Sequence, residues 1–357
     1  MTRLFTPITL RDVQIRNRVW VAPMCQYSAV DGVPNDWHLV HLGSLARGGA
    51  GLVMTEASAV CPEGRISPVD AGIWDDEQQE AWERVVGFVH SQGASAGIQL
   101  AHAGRKASTR PPFEGRGWVP FEEGGWETVG PSAVGFPGLP APRAMTTADI
   151  DRAVADFARS ARRAVAAGFD VVELHAAHGY LLHEFLSPLS NHRDDEYGGT
   201  FANRVRLLLR VVDAVRDAVP DSMPLLARIS ATDWVDGGWG PDDSVALARL
   251  LGEAGVDLVD VSSGGNAPAE IPVGPGYQVP FARRIRAEAG IPTGAVGLVT
   301  EARQAEAILA EGAADVVLLA RAMLRNPHWP LQAAHELGVP VGDGVDWPRQ
   351  YLRASMG

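Results

Sequence analysis

The chain has 357 residues, of which 46% are hydrophobic and 21% charged, so it can bury a large core as one α/β barrel or as two domains. Its formal net charge of −12 at pH 7 argues against a nucleic-acid-binding or anionic-membrane-binding surface, because either would need a basic patch. The sequence has no apolar run as long as a signal peptide or a membrane span, so we expect a cytoplasmic protein. Its only cysteines are Cys25 and Cys61, so we expect no disulfide framework and no four-cysteine iron–sulfur cluster.

Short apolar or β-branched runs recur along the chain, and each is followed by a longer stretch with helical spacing. This alternation is typical of a parallel sheet covered by helices. The predicted strands are 19–23, 51–56, 96–101, 170–175, 225–230, 257–262, 293–296 and 315–320. Eight such units, with no GxGxxG sequence after the first strand, favour a closed (β/α)8 TIM barrel over a Rossmann sheet. We therefore expect residues 1–357 to form a single domain.

The connection after the third predicted strand is unusually long. From 104 to 143 the chain is rich in Pro, Gly and Trp and far exceeds a normal βα loop. We interpret this segment as a lid, or capping loop, over the strand ends; a surface insertion without a role is the alternative. A helix is predicted next, from 147 to 167, with Thr146, Thr147 and Asp149 as capping candidates and Gly168 as its stop.

In a barrel enzyme the catalytic groups lie at the C-terminal ends of the strands. Polar or reactive residues at those positions are Cys25, Tyr27, Gln99, His102, His175, His178, Arg228, Ser262 and Arg321. His175 and His178 are close enough in sequence to contact one ligand. They could donate hydrogen bonds to a carbonyl or phenolate oxygen, ligate a metal ion, or be buried structural histidines.

Arg228 keeps its charge, so inside a barrel mouth it needs an anion. That anion could be an electron-rich cofactor ring or an internal carboxylate such as Glu173. The ends of the last two strands carry small residues around 294–297, in the region where barrels bind phosphate, and this favours a phosphate-bearing cofactor, although loop packing explains them equally well. Cys25 is either a site residue or a buried apolar one.

Lys106 is the only lysine in the chain. It is the one candidate nucleophile for a competing class of barrel enzyme, the Schiff-base aldolases, which need a desolvated lysine. Because it follows Arg105 at the start of the long loop, we expect it to be poorly buried, which disfavours that class.

Three motifs resemble the Old Yellow Enzyme family. HAAHGY at 175–180 runs into EFLSP at 184–188 and DEYGG at 195–199, which is similar to the family signature. APMC at 22–25, QLAHAGR at 99–105 and RAMLRNP at 321–327 extend the resemblance over nearly the whole chain. Cys25 with Tyr27 resembles the thermophilic-like class, which includes bacterial xenobiotic reductases.

The resemblance implies an FMN site at the strand ends. The residues that it assigns to FMN are Ala22, Pro23, Met24, Cys25, Ala57, Gln99, Arg228, Gly297, Ala320 and Arg321. Among them Arg228 would face the flavin ring, and Arg321 with Gly297 would hold the phosphate. Ala22 and Ala320 stand where relatives often have serine and glycine.

The resemblance also implies a reaction. NADPH or NADH reduces the flavin, which then passes a hydride to the β-carbon of an activated alkene, such as an α,β-unsaturated carbonyl compound. His175 and His178 would bind the carbonyl oxygen and Tyr180 would protonate the α-carbon, while Cys25 and Tyr27 would contact the substrate. No metal ion is implied. A flavin-binding barrel without turnover remains a third possibility.

The C-terminal tail at 345–357 resembles a segment that reaches a neighbouring subunit's active site. By that resemblance the protein would be a homodimer or homotetramer, with Arg353 contributing to substrate binding. The alternative is that Arg353 lies at a frayed, exposed chain end.

Overall fold

Eight parallel strands close into a barrel in the order of the sequence. The computed structural model describes residues 2–355. The barrel strands, labelled β1 to β8, are Val19–Val21, Leu52–Ala59, Ser95–Ala101, Val171–Ala176, Leu225–Ser230, Leu258–Ser262, Thr293–Ala295 and Val316–Leu319. Each strand pairs with the next, and β8 pairs with β1. The predicted (β/α)8 barrel is confirmed, and each predicted strand overlaps an observed one.

Helices follow each strand and cover the outside of the barrel. The α-helices, labelled α1 to α11, are Asp36–Arg47, Asp76–Ser91, Thr147–Ala166, Leu181–Leu186, Phe201–Arg204, Arg206–Arg216, Pro241–Glu253, Val279–Ala289, Ala302–Ala310, Arg321–Arg325 and Trp329–Glu336. Short 3-10 helices are Pro62–Gly64, Gly104–Lys106, Phe121–Glu123 and Arg349–Ala354. An antiparallel pair, Ile8–Leu10 with Val13–Ile15, precedes β1. No helix within residues 2–355 is long and apolar enough to cross a bilayer.

Alternation along the strands explains why the barrel is apolar at one end and polar at the other. Successive residues of a strand point to opposite faces, so every second residue points into the barrel. Near the N-terminal ends of the strands, Trp20, Met54, Leu226 and Leu258 form one buried apolar cluster. Two residues further along β5 and β6, the inward positions are polar. The barrel interior is therefore packed with apolar side chains toward the N-terminal ends of the strands and lined by polar side chains toward their C-terminal ends.

Helix α3 shows how local sequence fixes an element boundary. Thr146 is the N-cap, and its side chain accepts a hydrogen bond from the Asp149 backbone N–H while the Asp149 side chain accepts from the Thr146 N–H. Such a reciprocal capping box satisfies two helix-end donors. The helix stops two residues before Gly168, which has a φ of 85°. The predicted helix at 147–167 is confirmed to within one residue at its end.

The long connection after β3 runs as an irregular segment from 104 to 143. A two-residue parallel pair, Val129–Gly130 with Arg143–Ala144, brings its second half together. The Phe113 ring meets the Tyr27 ring edge-on, with centroids 6.3 Å apart. The segment thus contacts residues that follow a barrel strand, whereas its role as a lid remains a prediction.

Candidate active site

Four charged or amide side chains form a buried polar layer across adjacent strands. The Gln99 side-chain amide on β3 donates a hydrogen bond of 2.7 Å to Glu173 on β4. On β5 and β6, Arg228 and Asp260 are register partners, and Arg228 Nε lies 3.0 Å from Asp260 Oδ2. All four residues are buried, with exposed fractions of 6% or less. Arg228 thus has an internal carboxylate partner, and that partner is Asp260.

This layer holds two carboxyl groups and one cation. Burial raises the pKa of Glu173, the nearby Asp260 raises it further, and Arg228 opposes the rise. Burial likewise raises the pKa of Asp260 against the opposing effect of Arg228. Arg228 Nε and Glu173 Oε2 have no hydrogen-bond partner among the described residues, and the Arg228–Asp260 contact is an ion pair without hydrogen-bond geometry. Hydrogen-bonding capacity is therefore left over for a further group.

A cavity of about 180 Å³ opens directly beside Arg228. Arg321 and Arg325 from α10 also line it, together with Ser262 and Gly297. Three guanidinium groups in one concave site suit an anion, and Arg is well matched to phosphate. This set of donors fits a phosphate-bearing cofactor such as FMN.

Gly297 and Ala320 both line this cavity. Gly297 has a φ of 117°, a conformation that L side chains rarely adopt. Ala320 has a φ of −108°, so its Cβ causes no left-handed strain.

Buried polar contacts fix the loop that follows β1. The Gln26 N–H donates to Glu56 Oε2 at 2.9 Å, and His38 Nε2 lies 3.1 Å from Glu56 Oε1. The register of β2 against β3 shifts between Met54 and Ala57, and such bulges redirect side chains. Glu56 can thereby hold the segment 22–27, which contains Ala22, Pro23, Met24, Cys25 and Tyr27.

Cys25 and Tyr27 lie side by side in that segment and are partly exposed. Burial raises the pKa of the Cys25 thiol well above its usual value, and Asp70 and Glu56 raise it further. Burial also raises the pKa of Tyr27. At neutral pH Cys25 is therefore a thiol rather than a nucleophilic thiolate.

The structure brings His175 and His178 into contact at the end of β4. His175 Nε2 and His178 Nδ1 are 3.4 Å apart, and His178 Nε2 is 2.7 Å from the hydroxyl of Ser262. The Ala177 N–H donates to His175 Nδ1 at 3.3 Å, which leaves the ring proton on Nε2. Since Ser262 also lines the cavity beside Arg228, the histidine pair and that cavity are continuous.

Both histidines are neutral at pH 7. Burial lowers the pKa of His175 and of His178 well below the usual value, and the charge of Arg228 lowers both further. A neutral imidazole carries one N–H donor, so the pair can offer one donor each to a ligand oxygen. Within residues 2–355 no group of three or more His, Cys, Asp and Glu side chains is placed to hold a metal ion.

Tyr180 completes this cluster. Its ring meets the His175 ring edge-on at 5.0 Å, and burial raises the pKa of its hydroxyl well above the usual value. It therefore carries its proton at neutral pH. On its other side Tyr180 lines a cavity of about 470 Å³ together with Lys106, Ile66 and Phe136.

One strand-end candidate, His102, and the tail candidate Arg353 lie outside this arrangement. His102 is buried against a separate cavity of about 40 Å³ that it shares with Cys61, and burial lowers its pKa to about 4. Arg353 is exposed in the 3-10 helix Arg349–Ala354, where Tyr351 packs against Arg47. Whether Arg353 reaches a neighbouring subunit remains a prediction, and positions 356–357 of the proposed tail lie outside the described residues.

Sequence reasoning missed several residues that shape the site. Asp260 pairs with Arg228, Glu56 holds the loop after β1, and the aromatic rings of Phe113 and Phe136 come from the long connection. The inward alternation Leu258, Asp260, Ser262 on β6 was a usable signal for Asp260. We expected Lys106 to be poorly buried; it is half-buried in the structure, and burial lowers its pKa to about 8.

Comparison with known proteins agrees with this architecture. Residues 3–339 match the model of the NADH:flavin oxidoreductase / NADH oxidase family. An NADPH dehydrogenase of Geobacillus thermodenitrificans is 51% identical over 351 residues, which cover 98% of either chain. A solved structure of morphinone reductase in complex with tetrahydroNAD is 30% identical and covers 94% of this chain and 91% of its own, with a TM-score of 0.78. An Old Yellow Enzyme homologue from Zymomonas mobilis is 27% identical and covers 99% of either chain, with a TM-score of 0.77.

Proposed function

The chain belongs to the NADH:flavin oxidoreductase / NADH oxidase family and is an FMN-dependent oxidoreductase that uses NADPH or NADH, and from that premise we propose that it reduces the C=C bond of α,β-unsaturated carbonyl compounds or related activated alkenes. The observation that carries the proposal is the contact of His175 with His178 on one side and with the Tyr180 ring on the other. The pair adjoins the arginine-lined cavity through Ser262. When bound, FMN supplies hydride-transfer chemistry.

His175 and His178 bind the carbonyl oxygen of the substrate. Their mutual contact of 3.4 Å is long for a hydrogen bond, so a substrate oxygen can replace it at little cost. Each neutral ring then donates one hydrogen bond, which strengthens as negative charge develops on the oxygen during reduction. Interactions that strengthen toward the transition state are those that accelerate a reaction.

Tyr180 donates the proton that the α-carbon requires. Its hydroxyl stays protonated at neutral pH, and the developing enolate is basic enough to take that proton. Cys25 and Tyr27 contact the substrate from the loop after β1. The segments around Ala22, Ala57, Gln99, Gly297, Ala320 and Arg321 would hold FMN, and Arg228 would supply a positive charge beside it.

The test of the histidine roles uses His178→Ala, with the exposed His192→Ala as the matched control. We expect His178→Ala to weaken binding of 4-nitrophenol and to slow reduction of 2-cyclohexenone by about a hundredfold, because a charge-stabilising donor in an active site contributes on the order of 10²-fold. Bound FMN should stay near wild-type content. Loss of FMN in parallel with activity would instead assign His178 a structural role.

The proton-donor role is tested with Tyr180→Phe in rapid-mixing experiments. Reoxidation of the reduced enzyme by 2-cyclohexenone should slow on the order of 10²-fold or more, the usual contribution of a positioned acid, while reduction by NADPH stays unchanged. Equal slowing of both half-reactions would remove Tyr180 from proton delivery.

The Schiff-base aldolase alternative is disfavoured by the contacts of Lys106. Its ammonium donates to two backbone carbonyl oxygens, which favour the protonated amine over the nucleophilic one. Borohydride with a carbonyl substrate should therefore leave Lys106 unmodified.

Steady oxidation of NADPH coupled to alkene reduction distinguishes the proposed enzyme from a flavin-binding barrel without turnover.

We also propose that the chain forms one domain and assembles as a homodimer or homotetramer. Trp37 and Val40 on α1, with Tyr351 and Leu352 near the C-terminus, are large exposed apolar side chains that an interface could cover. Analytical ultracentrifugation of the purified protein tests this assembly, and a monomer at micromolar concentration would contradict it.

A further inference from the structure

Lys106 lies where three loops meet. It ends the 3-10 turn Gly104–Lys106 after β3, and its Nζ donates to the carbonyl oxygens of His178 at 2.8 Å and Gly265 at 2.9 Å. The same nitrogen is 5.1 Å from the ring centre of Tyr180 and 4.7 Å from that of Phe136. One ammonium group therefore contacts the loops after β4 and β6 and the long connection after β3.

The turn that Lys106 contacts is held in an uncommon conformation. His178 has a φ of 59°, in the left-handed region that residues other than glycine seldom adopt. Such a conformation persists only where neighbouring contacts enforce it. Here the His178 N–H donates to Ser230 Oγ at 3.0 Å, and its carbonyl oxygen accepts from Lys106. The Gly179 N–H also donates to His183 Nδ1 at 2.9 Å, so Lys106 is one of several polar restraints on the backbone between His175 and Tyr180.

The charge of Lys106 bears on Tyr180 directly. Burial and the nearby Cys25, Tyr27 and Asp70 all raise the pKa of the Tyr180 hydroxyl, whereas Lys106 is the cation placed over its ring. A cation close to an aromatic ring is attracted to it, and it stabilises the ring more strongly once the hydroxyl is ionised.

The ionisation of Lys106 itself is set by the groups around it. Burial lowers the pKa of Lys106 to about 8, Glu184 opposes this, and Arg105 adds to it. Phe136 and the Tyr180 ring complete its surroundings. Lys106 is therefore mostly charged at neutral pH and loses its charge in the mildly alkaline range.

We propose that Lys106 is a positioning residue for proton delivery by Tyr180, holding the turn from His178 to Tyr180 in place and stabilising the phenolate that forms there. In that step the Oη–H bond of Tyr180 breaks, a C–H bond forms at the substrate α-carbon, and the electron pair stays on Oη until water returns a proton. FMN reduced by NADPH or NADH would supply the hydride for the β-carbon. This role rests on the proposed function.

Three substitutions separate the two parts of this role. Lys106→Met removes both the donors and the charge, Lys106→Gln keeps donors without charge, and Lys106→Arg keeps both. We expect reoxidation by 2-cyclohexenone to slow about tenfold in Lys106→Met, to recover little in Lys106→Gln and to recover largely in Lys106→Arg. Reduction by NADPH should be unchanged in all three.

A second readout does not depend on turnover. Hydrogen–deuterium exchange of the peptide covering 175–180 should quicken in Lys106→Met but stay near wild type in Lys106→Gln and Lys106→Arg, because only the first loses the donors to His178 and Gly265.

The pH profile adds a third readout. The reoxidation rate of the wild type should fall above pH of about 8, as Lys106 is neutralised, and Lys106→Met should lack that fall.

A double substitution shows whether Lys106 acts through Tyr180. In a Tyr180→Phe background, Lys106→Met should add a much smaller loss to reoxidation than in the wild type, because the proton donor that it assists is gone and only the contact to the His178 carbonyl remains to be lost. An equal loss in both backgrounds, or wild-type exchange and reoxidation in Lys106→Met, overturns the role of Lys106 alone. If Tyr180→Phe does not slow reoxidation at all, the proposed function itself fails.

Discussion

At the scale of single residues, the notable feature is Arg228 set between two buried carboxyl groups. Breaking a buried ion pair by removing one partner is far more costly than losing a surface pair, because the remaining charge has no water to solvate it. Arg228 both pairs with Asp260 beside Glu173 and lines the neighbouring cavity. Its charge thus links the stability of the barrel to the binding of an anion.

We predict that Arg228→Met destabilises the flavin-free protein in a pH-dependent way. The folded-state pKa of Glu173 and of Asp260 lies above the unfolded value, so each keeps a proton that the unfolded chain loses as pH rises. Rising pH therefore favours unfolding. The effect should be stronger in Arg228→Met, because Arg228 no longer lowers the pKa of the two carboxyl groups. The deficit in unfolding free energy should be small near pH 4 and about 3–5 kcal/mol near pH 8, measured by urea denaturation.

The matched control for that variant is Arg84→Met. Arg84 pairs with Asp36 on the surface, where both side chains are more than half exposed. This substitution should shift the urea midpoint slightly and equally at both pH values. A deficit in Arg228→Met that does not grow with pH would contradict the assigned protonation of the two carboxyl groups.

At the scale of elements, the site depends on direct packing between the loops after β4 and β6. A Cβ added at Gly265 would lie 2.6 Å from the Cα of His178, and Gly265 has a φ of 92°. No side chain fits at that distance, so the glycine allows the two loops to touch. The position of His178 is therefore set by a residue distant in sequence, in addition to its own motif.

Gly265→Ala should therefore displace His178. We expect a loss of about 1–3 kcal/mol in unfolding free energy from steric overlap and backbone strain, with a large loss of 4-nitrophenol binding. Gly274→Ala in the same loop is the control, because a Cβ there meets nothing within 4 Å. Retention of full phenol affinity in Gly265→Ala would show that the turn at His178 does not depend on this contact.

The elements were predictable from sequence because their signals are local. Apolar runs of strand length recur eight times, and Thr146 with Asp149 marks the start of α3 within a few residues. The strand-end rule also selected Gln99, His175, His178 and Arg228 correctly as neighbours at one end of the barrel.

What sequence could not give are contacts between segments far apart in the chain. Asp260 pairs with Arg228 only because β5 and β6 align in one particular register, and that register is set by the closed sheet. His102 directly follows β3, and His175 lies near the end of β4, yet His102 lines a separate cavity with Cys61. Lys106 is half-buried against Phe136 and Tyr180, which are 30 and more positions away in sequence. Local composition contains no information on such packing.

At the scale of the whole molecule, an apolar floor closes the barrel and its charged groups concentrate at one mouth. Trp20, Met54 and Leu226 fill the interior at the N-terminal end, while Arg228, Arg321 and Arg325 surround the cavity at the other. A ligand that binds only the folded chain adds its binding free energy to the stability of the whole barrel.

FMN should therefore stabilise the protein more than riboflavin, which lacks the phosphate. At a hundredfold excess over its dissociation constant a ligand adds about 2.7 kcal/mol to the unfolding free energy, so differential scanning calorimetry should show a clear rise in Tm with FMN. At equal concentration riboflavin should give a smaller rise, and the gap should narrow in Arg321→Ala. An equal rise with both ligands would contradict phosphate recognition by the arginine-lined cavity.

The single lysine has a practical consequence for observing motion. A lysine-specific protease can cut this chain only after Lys106, and Ala107 on the other side of that bond is 1% exposed. Cleavage must therefore wait until the base of the long connection opens, and under mild protease its rate measures the population of that opened state. The appearance of two fragments on a gel therefore reports this one local opening event. Bound FMN or substrate should delay the cleavage.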